Sequence, residues 1–324
     1  MVVGCLVWLV VAAVASVWEL GQRWITPGRA GLAFVQIFMW WGRWALLPAL
    51  VALGISLATT KRRRWWRVLL AAVLVLGAWG SLIEPAVIVQ RDERAVVADA
   101  PRLRVAIVSD LHIGLHGRDL PGLVARINAL DVDAVLVAGD WTYEPWLDLD
   151  AVFAPLSDLN HPAYGVLGNH DLRRPGPDFA VPLQDALTTH GVTLIDGRSV
   201  MVNGWELVGL DDLWGGDPGS QVPTLLGPRH APRLVLMHQP DTVSLLPDAS
   251  ADVIVAGHTH GGQIRIPFVT DWLVRTVISP GGYGGGRYET PAGTMLVSSG
   301  VGMVGPPVRI GVPPEIIVAE LGRL

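Results

Sequence analysis

Cysteine is almost absent: Cys5 is the only one in 324 residues, which excludes a disulfide framework and a cysteine-based metal site. Charge is scarce too. Charged residues make up 16% of the chain, below the roughly 25% of an ordinary soluble protein, and the mean hydropathy is +0.42. Disorder as the main state is therefore excluded, as is a purely soluble chain of average make-up. Net positive charge is missing from most of the length, since residues 91–324 carry a net −11. Sequence-independent nucleic-acid binding, which needs cations facing phosphates, is not expected. There is no internal repeat and no long low-complexity tract, and the length suits about two domains of roughly 150 residues.

What the body lacks, the head has. Residues 1–90 hold eight of the 24 Lys and Arg against two acids, Glu19 and Glu84, for a net +6. They also hold nine of the 14 tryptophans, mostly near the ends of three apolar runs at 1–18, 31–60 and 68–90. Tryptophan favours the headgroup layer, and each run approaches or exceeds the ~17 residues a spanning helix needs. Ala13-Val14-Ala15 resembles a signal cleavage site, but no Lys or Arg precedes the first run and two more runs follow. The head is read as a membrane domain of about three uncleaved transmembrane helices, with 91–102 as a linker. Lys61, Arg62, Arg63, Arg64 and Arg67 lie between the second and third runs, against Arg23 and Arg29 between the first and second. The positive-inside rule puts the 61–67 loop in the cytoplasm and residues beyond 90 on the outer side; Arg91, Arg94, Arg102 and Arg104 vote the other way. The expected location is a multi-pass cell-membrane protein with an extracytoplasmic body.

From residue 103 the pattern becomes short β-branched runs alternating with helical stretches, an α/β body. Runs at 103–108, 134–138, 164–167, 234–237 and 253–256 have the length and apolarity of buried strands. Further strands are expected at 192–195, 200–202, 206–208, 294–297 and 315–319, and a helix at 119–130 with Asp119 as N-cap. Each of the five buried runs ends on polar residues: Asp110 and His112, Asp140, Asn169-His170-Asp171, His238, and His258 with His260. Open α/β sheets place their ligands at such strand ends. Alone, each cluster is more often a turn or a surface pair. Five in order supply carboxylates, an amide and imidazoles that suit divalent Mn, Fe, Zn or Co. They exceed the needs of one ion and match two sharing a carboxylate bridge.

Taken together, Ser109-Asp110-Leu111-His112, Gly139-Asp140, Gly168-Asn169-His170-Asp171, His238 and Gly257-His258-Thr259-His260-Gly261-Gly262-Gln263 resemble the calcineurin-like metallophosphoesterases, over about residues 103–322. Gly209-Leu210-Asp211-Asp212, the Ser298–Gly302 stretch and Pro313-Pro314-Glu315-Ile316 resemble the bacterial membrane-associated branch, in which a hydrophobic head precedes the catalytic domain. The resemblance implies a four-layer double β-sandwich flanked by helices, with 103–324 as the catalytic domain. It implies one metal held by Asp110, His112, Asp140 and His260, and a second held by Asp140, Asn169, His238 and His258. His170 would protonate the leaving group and Asp171 would orient His170. The cofactors expected are two divalent ions, Mn, Zn or Fe, generating hydroxide.

Arg118, Arg173 and Arg174 follow the motifs and are candidates for holding a substrate phosphate. Asp211 and Asp212 read as either a turn or support for the centre. His116, His161, His190 and His230 have no partner pattern. Residues 267–278, with Phe268, Trp272 and Leu273, read as a bilayer contact or as a buried cluster, and 281–286 as a glycine-rich lip. The leading function is a membrane-anchored phosphomonoesterase or phosphodiesterase acting on a phosphorylated lipid or cell-envelope component. The alternative is a cytoplasmic-facing pyrophosphatase resembling those that cleave UDP-2,3-diacylglucosamine in lipid A synthesis. A membrane scaffold without catalysis is the third class, disfavoured by the complete ligand set.

Overall fold

The computed structural model describes residues 2–23, 28–60, 64–114, 119–146, 148–172 and 180–323. The apolar head forms helices Val2–Leu20, Ala30–Gly42, Leu46–Thr59 and Arg64–Ala78. The middle two are one run, Ala30–Thr59, tightened to a 3₁₀ turn at Arg43–Ala45. Among the described residues this run and Arg64–Ala86 are long and apolar enough to cross a membrane, whereas the apolar stretch Cys5–Leu20 is shorter. All three apolar runs are helical, the first over the 19 residues Val2–Leu20. Thirty helical residues extend about 45 Å. The first part of this run lies against the body: Ala33, Gln36 and Ile37, on one helical face, are buried, and Ile37 packs with Tyr143. By contrast Leu69, Val73 and Leu76 stay exposed.

Leu46–Thr59 and Arg64–Ala78 pack as a hairpin. At one end the Arg67 guanidinium donates to the carbonyls of Ser56 and Thr60, both at 2.9 Å. At the other, Arg43 donates to the Ser81 carbonyl at 3.1 Å. The body meets this second end, where Arg309 N donates to Gly80 O at 2.8 Å and Val312 N to Glu84 Oε1 at 2.8 Å.

The body contains strands β1 (Val89–Val96), β2 (Leu103–Val108), β3 (Ile113–Gly114), β4 (Ala134–Ala138), β5 (Thr142–Tyr143), β6 (Ala163–Val166) and β7 (Val192–Leu194). They are followed by β8 (Arg198–Val202), β9 (Trp205–Gly209), β10 (Arg233–Leu236), β11 (Val253–Ala256), β12 (Gly286–Thr290), β13 (Gly293–Val297) and β14 (Glu315–Gly322). One six-stranded sheet runs β1-β14-β2-β4-β6-β7 and the other β12-β13-β11-β10-β9-β8. Leu103, Val105 and Ile107 of β2 meet Leu234, Leu236 and Val253 of the second sheet in the core between the sheets. Ala106 and Val108, on the opposite face, pack on the helix Leu120–Asn128. Helix Pro218–Leu225 covers the outside of the second sheet through Val222. The layers are thus helix, sheet, sheet, helix, as expected.

The central strands are buried on both faces, which is why they read as unbroken apolar runs. Helix Leu120–Asn128 starts as predicted, with Asp119 Oδ1 accepting from Gly122 N at 2.9 Å. The expected linker at 91–102 is corrected in its first half. Val89–Val96 is an edge strand parallel to β14, and Arg91 joins Glu315 across that pair at 3.0 Å. Its polar, charge-bearing sequence hides it, because an edge strand needs little apolar surface.

Candidate metal centre

β2, β4 and β6 are parallel neighbours in the first sheet, and β10 and β11 in the second. Their C-terminal ends therefore open on the same side, where the chain turns sharply and brings the predicted residues together. Asp110, His112 and His260 form one group and Asp140, His238 and His258 another; in each, the ligand atoms lie within 4.8 Å of one another. His112 Nε2 lies 3.6 Å from Asp140 Oδ2, and His238 Nε2 lies 3.2 Å from the same oxygen, so Asp140 stands between the groups. Asn169 Oδ1 is 3.1 Å from His238 Nε2 and joins the second group.

The backbone is strained to build this. Asp110, His112, Asp140, His258 and His260 all have positive φ, five of the eleven such non-glycine residues among those described. That conformation is uncommon outside glycine and concentrates at functional sites. Gly168 is needed for the same packing: a Cβ there would sit 2.2 Å from Asp140 Oδ1.

Several observations fit a pair of cations. His112 Nε2 and His260 Nε2 approach to 2.9 Å, with Asp110 Oδ1 at 3.8 and 3.5 Å from them. His258 Nε2 is buried without a hydrogen-bond partner. His238 Nδ1 faces the Ala138 carbonyl at 2.8 Å. A carbonyl only accepts, so that nitrogen carries the proton and Nε2 is left to bind, the arrangement metal-ligating histidines usually show. Burial pushes the His258 imidazole down to about 3, with the neighbouring His238 adding to it, and holds His112 and His260 well below their ordinary value. Neutral imidazoles are the form a metal needs. Burial also raises Asp140, but His238, His170 and His112 outweigh it and hold the carboxyl well below the usual range. Burial pushes Asp110 up to about 7, with Asp140 adding to the rise against the lowering effect of His238. Burial lowers His238, yet Asp140 and Asp110 bring it up to about 10.

His170 and Asp171 are present, but Asp171 does not do what was expected of it. Its Oδ1 accepts from Thr142 N and Thr142 Oγ1, both at 2.9 Å, and its Oδ2 from Trp141 N at 3.1 Å and Gly168 N at 2.9 Å. Both oxygens are thus committed to pinning the 168–171 turn onto the strand after Asp140, rather than to orienting an imidazole. Burial and the neighbouring Asp140 push this carboxyl up to about 7, against the lowering effect of the Gly168, Trp141 and Thr142 hydrogen bonds. His170 is positioned otherwise: its backbone N donates to Asp140 Oδ1 at 2.9 Å, and its ring stands edge-on to His112 at 5.0 Å and Tyr143 at 4.8 Å.

Tyr143 was not foreseen. Its ring also meets His112 edge-on at 5.4 Å, and its Oη accepts from Gln36 Nε2 of the head at 2.7 Å. Burial pushes the phenol up, so it stays protonated. Glu144 beside it pairs with Arg29 at 3.1 Å, and the Arg23 guanidinium, paired with Glu19, lies over the Trp146 ring at 4.0 Å. The head therefore walls one side of the centre. Only the placement of Tyr143 three residues after Asp140 hinted at this.

Two more residues support the centre. Trp214 stands edge-on to His258 at 4.7 Å. Arg309, wholly buried, donates to carbonyls of Gly302, Ser299, Gly300 and Val312, and its Nη2 is 3.4 Å from His260 Nδ1. Asp212 forms a turn, accepting from the backbone N of Trp214 and Gly215. His190 pairs with Asp150 at the surface. Arg118, Arg173, Arg174 and His116 lie outside the described residues.

The profile of the calcineurin-like phosphoesterases matches residues 103–262. Over 232 residues the chain is 32% identical to an uncharacterized metallophosphoesterase, Cj0846, of Campylobacter jejuni, covering 68% of this chain and 59% of that one. It is 31% identical over 188 residues to phosphodiesterase YaeI of Escherichia coli K12, covering 53% and 65%. With the uncharacterized metallophosphoesterase YkuE of Bacillus subtilis 168 it shares 30% over 238 residues, covering 67% and 78%. The chain thus spans less than two thirds of the length of the first two relatives.

Proposed function

Because the chain belongs to the calcineurin-like phosphoesterase family, we propose that it is a membrane-anchored hydrolase of phosphate esters, acting on a lipid or cell-envelope phosphate. The observation that carries this reading is the pair of buried ligand groups meeting at Asp140. Asp110, His112, Asp140 and His260 would hold one divalent ion, and Asp140, Asn169, His238 and His258 the other. When bound, such a pair supplies Lewis acidity to phosphate oxygens and lowers the pKa of water. The chain's own residues do the rest. His170, fixed through its backbone to Asp140 and half-buried at the mouth, donates a ring proton to the departing oxygen, a contribution typically of about 10²–10⁴-fold. Tyr143 and Trp214 flank the imidazoles of His170 and His258. The relative named as a phosphodiesterase supports a diester as the substrate.

The anchoring reading rests on the two helices of spanning length and their exposed apolar faces. Arg67 marks the hairpin end opposite the body. With the 61–67 loop in the cytoplasm, the centre faces outward. The four arginines that argued otherwise are tied to acids of the body: Arg91 to Glu315, Arg94 and Arg102 to Glu320, and Arg104 to Asp131. This favours an envelope substrate over a cytoplasmic nucleotide-linked one.

Hydrolysis of bis-p-nitrophenyl phosphate and p-nitrophenyl phosphate by the purified full chain tests the activity, with Mn²⁺, Zn²⁺ or chelator. Chelator-sensitive turnover, faster on the diester, is expected. Turnover that survives chelation would overturn the reading.

A further inference from the structure

A short apolar ridge stands beside the centre. The helix Val269–Leu273 and the wider turn Val274–Ile278 that extends it carry Phe268, Val269, Trp272 and Val277 outward, with Ile266 just before them. Phe268 is 87% exposed and Trp272 62%, so the buried cluster that the sequence left open is excluded. Phe268 is also held at φ 65°, a region bulky residues rarely enter. The fold thus strains its backbone to leave an aromatic ring facing outward.

The ridge grows from the part of the body docked on the head. Arg265 N donates to Ile310 O at 2.7 Å, and Ile264 bridges to Ile310. The same strip joins the foot of the third apolar run through Arg309 N to Gly80 O. At its other end the ridge reaches the centre, since the Ile278 backbone hydrogen-bonds His258. Arg265 and Arg275 flank the apolar positions, with Asp271 the one acid among them. Aromatic and aliphatic residues flanked by arginine are the composition of segments that lie in the headgroup layer.

We propose that residues 264–278 rest in the interfacial layer of the bilayer that the head crosses, with Phe268 and Trp272 immersed, so that the metal centre opens at the membrane surface toward lipid phosphates. The inference rests on the reading of the head as a membrane anchor. It adds a second, independent contact made by the body.

The test uses the full chain with Cys5→Ser and one new cysteine, Phe268→Cys or Trp272→Cys, carrying a polarity-sensitive nitrobenzoxadiazole label. The protein is reconstituted in phosphatidylethanolamine–phosphatidylglycerol vesicles. Val73→Cys, exposed on the hairpin, serves as the lipid reference, and Ser199→Cys, exposed on β8, as the aqueous one. Labels at 268 and 272 are expected to emit blue-shifted like that at 73, quenched by doxyl lipids and shielded from iodide. Water-like emission at 268 and 272, with 73 in lipid, overturns the ridge contact alone. Water-like emission at 73 overturns the anchor and the inference with it.

Discussion

Gln36→Leu probes the joint between the head and the metal centre. Gln36 Nε2 donates at 2.7 Å to the Tyr143 hydroxyl, and Tyr143 is buried against His112 and His170. Leucine fills similar space but cannot donate. Leaving a buried polar atom short of its partner costs about 1–3 kcal/mol. Arg29 Nη2, at 3.5 Å from the same oxygen, and the Gly305 backbone, which also hydrogen-bonds it, take up part of that. A remaining cost of ~1.4 kcal/mol, expressed as misplacement of Tyr143, corresponds to about a tenfold fall in kcat/KM. The metal content should not change, because no proposed ligand is touched. Tyr143→Phe removes the other half of the bond and should cost a similar factor. The double variant should be no slower than the slower single one, since with both groups gone neither is left without the other. Diester hydrolysis and metal analysis on the four full-length proteins complete the cycle. A Gln36→Leu protein at the wild-type rate, or single effects that simply multiply, would refute the coupling.

Other expectations are more direct. His170→Ala should lower turnover about 10²–10⁴-fold while keeping its metals, whereas Asp140→Ala should lose metal; metals stripped from the His170 variant would show that the role assigned to it is wrong. Gly168→Ala drives a Cβ to 2.2 Å from Asp140 Oδ1, so metal content should fall, and unchanged content would show that the bridge is not held as described. Burial pushes the Asp196 carboxyl from its ordinary 3.8 up to about 6. Its folded value lies above its unfolded one, so its stabilising contribution is full below about pH 4 and is lost as pH rises through 6. Asp196→Asn can still accept from Leu167 N; it should match the wild type near pH 4 and exceed it by up to ~3 kcal/mol at pH 8, read from thermal melts. A gain that shrinks as pH rises would reverse that argument.

The centre was legible in the sequence because each cluster follows an apolar run of strand length, and such runs pack side by side with their polar ends together. The five buried strands and the cap at Asp119 followed from pattern alone. The four-layer arrangement did not; it came with the family resemblance, since periodicity cannot say which strands share a sheet. Asp171 was assigned the wrong partner because adjacency to His170 in sequence says nothing about which way a carboxylate turns. β1 went unread because its alternation is of charges, stabilised by pairs such as Arg91 with Glu315 rather than by burial. Tyr143 and Gln36 stand 107 residues apart, and only the docking of head on body brings them together. The exposure of Phe268 likewise needed the fold, for an aromatic in a short loop reads equally well as core or as surface.

The number of metal ions bound per chain tests the central claim most directly. Mass-spectrometric metal analysis of the folded full chain, loaded with Mn²⁺ or Zn²⁺ and freed of excess, should give two ions in the wild type and fewer than two in Asp140→Ala. A folded wild type that binds one ion, or none, would contradict a centre built from two groups joined at Asp140.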